Sequence, residues 1–486
     1  LPRSETFRCA FNSSNRSRNC WPKPLITLIT MISTATPSVT PIIEISVIME
    51  TNVRLGRKYR SANASSNGNF IQRATGYPMA KRRERLKPNT LPTCQLPCRL
   101  AKRRAYSRPS EPFIMAKKYR VGVIGSTGRG NYGHGLDTVW REFPNTEVVA
   151  VADDNAGGLA KAVKRLGNPR GYADYRTMLE KETFDFVSIC PRWLDQHRDM
   201  LVAAAESGVR GIYEEKPLCR TLREADEMVT ACERNNVKCA VSHQTRYSPI
   251  LFQVEQLIAD GRIGRLLEFQ LHGKEDNRGG GEDLWVLGTH VFDLTHHLAG
   301  YPLWCQGYAR QGGESVTAKH VKPGNEGIGP LAGDNVGATY ALPSEVSAHF
   351  RSVRRAAGNP NRFGLSIFGS EGVIKMTTGY LPSASFLPDG SWAPGRTGKK
   401  WIHISSNGLG QAETLKDGGL HAGNVLAIRD LIDAVEEDRD PEASIHDART
   451  AAEMIVALFE SHRQGGARVD FPLANRDNPL TQLTAK

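Results

Sequence analysis

Short apolar runs alternate with amphipathic segments along residues 118–242, and this alternation predicts a parallel α/β fold. Residues 121–124 are apolar and rich in β-branched side chains, as is typical of a strand buried on both faces. Similar runs follow at 147–152, 184–190, 209–213 and 237–242. Segments that can be helical lie between them, at 136–143, 196–207 and 221–235. The alternation predicts a doubly wound Rossmann sheet over residues 115–240.

Composition separates residues 1–114 from the rest of the chain. They hold 20 Lys/Arg against 5 Glu and no Asp, whereas residues 115–486 hold 43 basic and 46 acidic side chains. They show no sustained helical or strand period. We expect this segment to be a disordered or non-native extension, with a targeting tail as the alternative. Because the excess positive charge lies here, the folded part lacks the charge that would indicate nucleic-acid binding.

Cysteine usage and hydropathy place the remainder among soluble, reduced proteins. Its five cysteines are an odd number without a pairing pattern, which is typical of a reducing compartment. No apolar run reaches the length of about 18 residues that a membrane-spanning helix needs. We therefore expect a cytoplasmic protein without a membrane partner.

A glycine-rich loop follows the first strand. Gly128, Gly130 and Gly133 match G-x-G-x-x-G, whereas counting from Gly125 gives G-x-x-G-x-G. Glycines permit the tight turn and the close approach of backbone to a diphosphate. A helix over 136–143 would add free N–H groups and the positive end of its dipole. The loop predicts a pyrophosphate site, with a plain turn as the alternative.

The second strand ends in two acids, Asp153 and Asp154. An acid at this place can accept hydrogen bonds from the adenosine ribose hydroxyls and would repel a 2′-phosphate. Asp153 therefore favours NAD over NADP. A capping or solvated aspartate is the alternative.

Lys216 follows the strand at 209–213, at the edge where doubly wound folds bind ligands. Pro217 keeps Lys216 out of a helical conformation. A lysine fixed beside a nicotinamide can hydrogen-bond a reacting hydroxyl and favour its alkoxide-like state. An exposed surface lysine is the alternative interpretation.

Several motifs together resemble the glucose–fructose oxidoreductase / inositol dehydrogenase / MocA (Gfo/Idh/MocA) family across residues 118–473. The most specific is Glu215-Lys216-Pro217, which stands between Ala205-Glu-Ser-Gly208 and Glu224-Ala-Asp226. Others are His243-Gln-Thr-Arg-Tyr-Ser-Pro249, Gly279-Gly-Gly281, Gly288-Thr-His-Val-Phe-Asp293, Phe363-Gly-Leu-Ser-Ile-Phe-Gly-Ser-Glu-Gly372 and Arg468-Val-Asp-Phe-Pro472.

The resemblance implies a second α/β domain over residues 241–473, with a tail at 474–486. Its open, mostly antiparallel sheet would form one wall of the substrate site and an interface in a homo-oligomer. The resemblance also implies that Lys216 and His290 serve catalysis. A histidine suits the base that takes a hydroxyl proton. Asp293, three residues later, is placed to orient it on a helix.

Two sets of residues complete the predicted site. The expected cofactor-binding residues are Gly125, Ser126, Thr127, Gly128, Arg129, Gly130, Asp153, Cys190, Pro191, Glu215 and Lys216. The expected substrate-binding residues are Lys216, Arg246, Tyr247, Asp283 and His290. No metal site is expected, because His290, His296 and His297 lack the spacing of paired helical ligands.

One position departs from the family pattern. Many members carry an Asp four residues before the histidine, where this chain has Val286. Three interpretations stay open. The missing carboxylate is supplied by Glu282 or Asp283, or His290 transfers the proton alone, or the protein has lost catalysis. We expect an NAD-dependent oxidoreductase acting on a sugar, sugar acid or cyclitol hydroxyl. The alternatives are a glycoside-cleaving enzyme that uses transient oxidation, and a silent NAD-bound sugar sensor.

Overall fold

A computed structural model describes residues 118–360 and 362–484, so the predicted extension at 1–114 lies outside the described residues. The first part is a parallel sheet in the order β3-β2-β1-β4-β5-β6. Its strands are β1 Tyr119–Ile124, β2 Thr146–Ala152, β3 Arg170–Tyr172, β4 Phe186–Ile189, β5 Gly211–Glu214 and β6 Lys238–Val241. Its helices are α1 Ala156–Arg165, α2 Tyr175–Lys181, α3 His197–Glu206 and α4 Leu222–Arg234. The strand order confirms the predicted Rossmann sheet.

The second part is built on a larger sheet in the order β18-β17-β16-β15-β14-β7-β13-β12-β8-β19, with β9 paired to β8. Its strands are β7 Leu266–His272, β8 Trp304–Gln311, β9 Glu314–Ser315, β12 Asn335–Ala341, β13 Ser347–Val353, β14 Gly364–Gly369, β15 Val373–Thr377, β16 Ala384–Leu387, β17 Ile402–Ser405, β18 Gly408–Leu409 and β19 Val469–Asp470. A separate hairpin joins β10 Lys322–Pro323 to β11 Pro330–Leu331. The β7–β13 pair is parallel and the other neighbours are antiparallel. The predicted open, mostly antiparallel sheet is confirmed.

The remaining helices of the described residues are α5 Pro249–Ala259, α6 Gly281–Val286, α7 Gly288–Ala299, the short α8 Pro394–Thr397, α9 Gly419–Glu436 and α10 Ile445–Arg463. Of these, α5, α6, α7 and α10 pack against the large sheet. Alternate side chains of the sheet, such as Val336 and Phe350, are buried in one apolar cluster with Phe292 of α7 and Leu458 of α10. This alternation is what a strand with one buried face produces.

The expected helix at 136–143 does not form as an α-helix: the chain makes turns and then a 3₁₀ helix, Val139–Glu142. Gly133 and Gly135, with φ of +59° and +86°, form part of the turns before it. Helix α9, from the far end of the chain, covers this face of the parallel sheet. Its Ile428 and Leu431 share one apolar cluster with Val121 of β1.

The C-terminal residues, predicted as a tail, pack against the parallel-sheet part. Leu480 is buried, and the Arg476 guanidinium donates to Asp226 on α4 at 2.6 and 2.7 Å. Arg476 also donates to Glu453 of α10 at 2.9 Å. In the part of the chain that the structure describes, no helix has the length and apolar character that a bilayer crossing requires.

Candidate active site

The glycine-rich loop after β1 rests on the chain that leaves β4. A Cβ atom on Gly130, at φ +94°, would lie 2.2 Å from the Arg192 backbone nitrogen. On Gly133 it would lie 2.4 Å from the Cys190 carbonyl oxygen. Both positions need glycine, because a side chain would separate the loop from β4. The Arg129 guanidinium secures the contact through an ion pair with Asp195 and lies 4.8 Å over the Trp193 ring.

We expect Gly130→Ala to lower the free energy of unfolding by about 1–3 kcal/mol more than Gly128→Ala, because only the first overpacks a contact. Gly128 is a matched control: its φ is +92°, but an added Cβ would meet no described atom within 4 Å. Both variants therefore bear similar backbone strain. Denaturant unfolding of the two proteins measures the difference, and equal losses would contradict this account of the loop.

Asp153 is buried at the end of β2, where it organises the glycine loop. Its Oδ1 accepts from the backbone N–H groups of Thr127 and Asn155 at 3.1 and 2.9 Å. Its Oδ2 accepts from the hydroxyls of Thr127 and Tyr132 at 2.7 and 2.8 Å. Although burial opposes it, hydrogen bonding from Thr127 and Asn155 lowers the pKa of Asp153. Two donors on each oxygen fill the acceptor capacity of a carboxylate, so a ribose hydroxyl would have to displace one of them.

The edge of the parallel sheet at the glycine loop offers donors for a dinucleotide phosphate but lacks the predicted helix. The crevice lies between β1 and β4, where the strand order reverses and doubly wound folds bind nucleotides. There, Ser126 Oγ and Arg129 Nε are buried without a hydrogen-bond partner among residues 118–360 and 362–484. A phosphate oxygen would satisfy both donors. The predicted helix dipole is missing, since the described residues between the loop and β2 form turns and a 3₁₀ helix rather than an α-helix.

Glu215 and Lys216 follow β5, and both are buried. Glu215 accepts from the His134 backbone N–H at 3.1 Å and from the Ser242 hydroxyl at 3.2 Å. Burial alone would raise the pKa of Glu215, but bonding to His134 and the Lys216 charge hold it low. Lys216 Nζ donates to the Val286 carbonyl oxygen at 3.2 Å. The two parts of the protein thus meet at Lys216.

His290, on α7, lies near Lys216. Its ring is partly accessible and packs edge-on against His243 and Phe363, with centroids 5.4 and 6.2 Å away. Burial lowers the pKa of His290 well below its usual value, and the Lys216 ammonium lowers it further. His290 is therefore neutral near pH 7 and able to accept a proton. The structure brings together the two residues that the sequence placed 74 positions apart.

Asp293 is held by Arg246 and His243. It accepts from Arg246 Nη1 at 3.0 Å and lies 3.4 Å from His243 Nδ1. Burial alone would raise the pKa of Asp293, but the Arg246 guanidinium and then His243 hold it far below its usual range. His243 Nε2 in turn contacts the Thr289 hydroxyl at 2.9 Å. The orienting role predicted for Asp293 thus applies to His243, the neighbour of His290.

Three predicted substrate-binding residues are committed to contacts within the protein. Arg246 is buried against Asp293, and the Tyr247 hydroxyl donates to Asp430 at 3.1 Å. Asp283 accepts from the backbone N–H groups of 274 and 275 at 3.1 and 3.0 Å and from the Ser352 hydroxyl at 2.6 Å. These side chains stabilise the walls of the site, so the prediction that they bind substrate lacks structural support.

The segment after β4 contributes backbone rather than side chains. The Cys190 side chain is buried in the core, and its carbonyl oxygen lies under Gly133. The Pro191 carbonyl oxygen contacts His197 Nε2 at 2.7 Å. Burial raises the pKa of the Cys190 thiol well above its ordinary value, so it remains protonated. The remaining histidines of α7 also pair internally: His296 with the Asp447 carbonyl oxygen and His297 with Glu255.

Sequence reasoning missed three residues around Lys216 and His290. His134 bonds Glu215 through its ring and backbone, and His243 packs against His290. Glu326, from the loop between β10 and β11, contributes a negative charge at Lys216. His243 stands inside a motif singled out for other residues, and His134 directly follows the glycine loop. No local signal marks Glu326, which lies far along the chain.

A doubly wound sheet, a second domain with an open sheet, and a lysine and a histidine between them are features of a two-domain protein of the dinucleotide-binding class. The sequence model of an oxidoreductase family with an NAD-binding Rossmann fold, GFO_IDH_MocA, matches residues 119–243. The model of that family's C-terminal alpha/beta domain matches residues 255–471. The chain belongs to the Gfo/Idh/MocA oxidoreductase family.

Characterised relatives match part of the chain. D-apiose dehydrogenase of Paraburkholderia graminis is 30% identical over 194 residues, which are 38% of this chain and 50% of that protein. Levoglucosan dehydrogenase of Pseudarthrobacter phenanthrenivorans is 26% identical over 249 residues, 46% of this chain and 63% of that protein. The chain thus spans less than two thirds of either relative. A solved structure of levoglucosan dehydrogenase with NADH and L-sorbose shares the fold, with a TM-score of 0.59 at 22% identity over 74% of this chain and 100% of that one.

Proposed function

We propose that this protein is an NAD-dependent oxidoreductase that transfers hydride between the nicotinamide and a hydroxyl carbon of a sugar, sugar acid or cyclitol. The carrying observation is the convergence of a buried lysine, Lys216, and a neutral histidine, His290, at the edge of the parallel sheet. Residues 115–240 would bind the cofactor and residues 241–473 the substrate. The names of the two curated relatives, both sugar dehydrogenases, support this substrate class.

Lys216 and His290 act on the same substrate hydroxyl group, Lys216 on its oxygen and His290 on its proton. Bound NAD supplies the hydride acceptor. Lys216 Nζ, held by the Val286 carbonyl, donates a hydrogen bond to the substrate oxygen and stabilises the negative charge that develops on it. His290 accepts the hydroxyl proton, since burial and the nearby ammonium keep its ring neutral. In the reverse direction the histidine returns that proton.

NAD is proposed over NADP because two acids stand at the end of β2. Asp153 is buried, with a lowered pKa, and the neighbouring Asp154 is exposed. Their negative potential disfavours a 2′-phosphate. Asp153 would act through the loop that it holds as well as through charge.

We further propose a cytoplasmic homo-oligomer. The five cysteines of the described residues are free and buried, which suits a reducing compartment. The outer face of the large sheet carries Tyr308, which is 41% exposed on β8. That face is the surface we assign to contact between copies of the chain.

A panel of sugars, sugar acids and cyclitols tests the proposed activity. We expect NADH, detected by absorbance, to accumulate with at least one member of the panel when NAD is supplied, and to form more slowly with NADP. Product formation without NADH accumulation would indicate transient oxidation instead. Binding of NAD with no turnover across the panel would indicate a sensor and overturn the proposal.

A further inference from the structure

The hairpin that joins β10 to β11 is a fixed loop beside the site. Its two short strands pair antiparallel, and the Gly324 N–H donates to the Gly329 carbonyl at 2.7 Å. Ile328, inside the loop, is fully buried and is bonded back to the Asn325 carbonyl at 3.2 Å. A buried apolar residue and closed hydrogen bonds fix the loop conformation.

The triple glycine Gly279–Gly281 anchors the chain that leaves this hairpin. A Cβ on Gly280 would lie 2.3 Å from the Gly333 carbonyl oxygen, and one on Gly281 would lie 2.4 Å from that of Ala332. The Gly281 N–H donates to the Gly333 carbonyl at 3.0 Å. The glycines let the two backbones touch, so the hairpin is tied to the start of α6.

The tip of the hairpin also contacts the nucleotide-binding side. Gly327, at φ +67°, packs against Asp195, since a Cβ there would lie 2.7 Å from the Asp195 carboxylate. Asn325 Nδ2 donates to Glu282 Oε2, on α6, at 3.1 Å. Residues 325–327 therefore bridge the chain after β4 and helix α6, the helix whose Val286 carbonyl holds Lys216.

Glu326 stands at the centre of this bridge, in a left-handed conformation with φ +53° and ψ +29°. Such a conformation is uncommon for a residue other than glycine and recurs where a side chain is aimed at a functional site. The other nearby acids have partners: Asp283 binds Ser352, and Glu282 binds Asn325. Glu326 is partly accessible, and no hydrogen bond to its carboxylate is found in the described range.

Glu326 helps to keep Lys216 charged. Burial lowers the pKa of Lys216, and the positive charges of Arg278 and Lys274 lower it further. The carboxylates of Glu215 and then Glu326 act in the opposite direction and raise it. Lys216 and His290 also repel each other when both are protonated. Glu215 is enclosed by His134 and Ser242. Glu326 is thus the acid of the second domain whose charge acts on the Lys216 ammonium.

We propose that Glu326 is the substrate-facing carboxylate of this site and accepts a hydrogen bond from a hydroxyl next to the one that Lys216 holds. A polyol offers adjacent hydroxyl donors, and a carboxylate is a strong acceptor for them. The pair would fix which hydroxyl carbon faces the nicotinamide. This inference rests on the proposed function for its substrate, whereas the electrostatic effect of Glu326 on Lys216 can be tested without it.

Two readouts on the full-length protein test the proposal. The first is the rate of Lys216 labelling by acetic anhydride against pH, followed by mass spectrometry without cofactor or substrate. We expect Glu326→Gln to lower the apparent pKa of Lys216 and Glu326→Asp to restore it in part. The second is turnover of a panel substrate, where Glu326→Gln should raise KM about tenfold or more, with a smaller change in kcat.

Glu345→Gln is the matched control. Glu345 also has a positive φ, +63°, but lies in the β12–β13 turn and pairs with exposed Arg265. It should change neither readout. An unchanged Lys216 titration in Glu326→Gln would overturn the electrostatic effect of Glu326 on Lys216, and a lowered titration with unchanged KM would overturn the substrate contact. A protein without dehydrogenase activity would overturn the proposed function, while the labelling result would still decide whether Glu326 acts on Lys216.

Discussion

Replacing Lys216 with methionine is expected to lower kcat by about 10²- to 10³-fold, the effect of losing one preorganised donor to a developing oxyanion. Methionine keeps the length of the buried stem and removes the ammonium that bonds the Val286 carbonyl. NADH affinity, measured by calorimetry, should stay close to that of the unmodified protein. The Lys216 charge helps to lower the pKa of His290. Without it that pKa rises, so the fall of the remaining kcat on the acid side of the pH profile should move to higher pH.

Lys319→Met is the control for this experiment. Lys319 is exposed and pairs with Glu314 at 2.8 Å, so its loss should leave kcat and the pH profile unchanged. Full activity of Lys216→Met on a confirmed substrate would remove Lys216 from the mechanism. A large loss of NADH affinity with unchanged kcat would assign it to cofactor binding alone.

Asp293→Ala is expected to lower the free energy of unfolding by about 3–5 kcal/mol, because it leaves the buried Arg246 guanidinium without its nearest carboxylate. Arg246 and Asp293 are 4% and 1% exposed and lie 3.0 Å apart, and the next acid, Asp447, is 3.8 Å away. The Nδ1 atom of His243 loses its neighbouring carboxylate in the same substitution. Guanidinium denaturation measures the loss.

The pH dependence of that loss has a defined sign. The pKa of Asp293 is lowered in the folded protein, so its contribution is complete above the unfolded pKa of about 3.9 and vanishes as the pH falls through the folded value. The difference between the two proteins should be constant from about pH 5 to 8 and shrink only in stronger acid. Asp470→Ala, at an exposed pair with Arg468, should leave the unfolding midpoint nearly unchanged. A similar loss in both variants would contradict the buried-pair interpretation.

The positions of the lysine and the histidine could be predicted, whereas their supporting contacts could not. Lys216 follows a short predicted strand, and the carboxyl ends of parallel strands meet at one edge, so local pattern places it. His290 came from family resemblance rather than from spacing. Asp293 was expected to orient His290 because residues three apart share a helix face. In the fold, the nearer and stronger partner on that face is Arg246.

Local sequence predicted the burial of residues 136–143 better than their conformation. Their apolar spacing is that of a short helix, but the chain forms turns and a 3₁₀ helix there. Leu136, Val139 and Trp140 are buried against the parallel sheet together with α9. A segment nearly 300 residues away decides that contact, and no short-range pattern reports it.

The sequence by itself determined the alternation of strands and helices along the parallel-sheet part. It also determined the glycine loop, the acid after β2 and the lysine after β5. These depend on local periodicity and on residue types that the backbone requires. The tertiary structure alone decided the partners: Tyr132 and Thr127 on Asp153, Arg246 on Asp293, and Glu326 beside Lys216. The physical reason is that charge pairing and burial depend on distance in space, which chain separation does not specify.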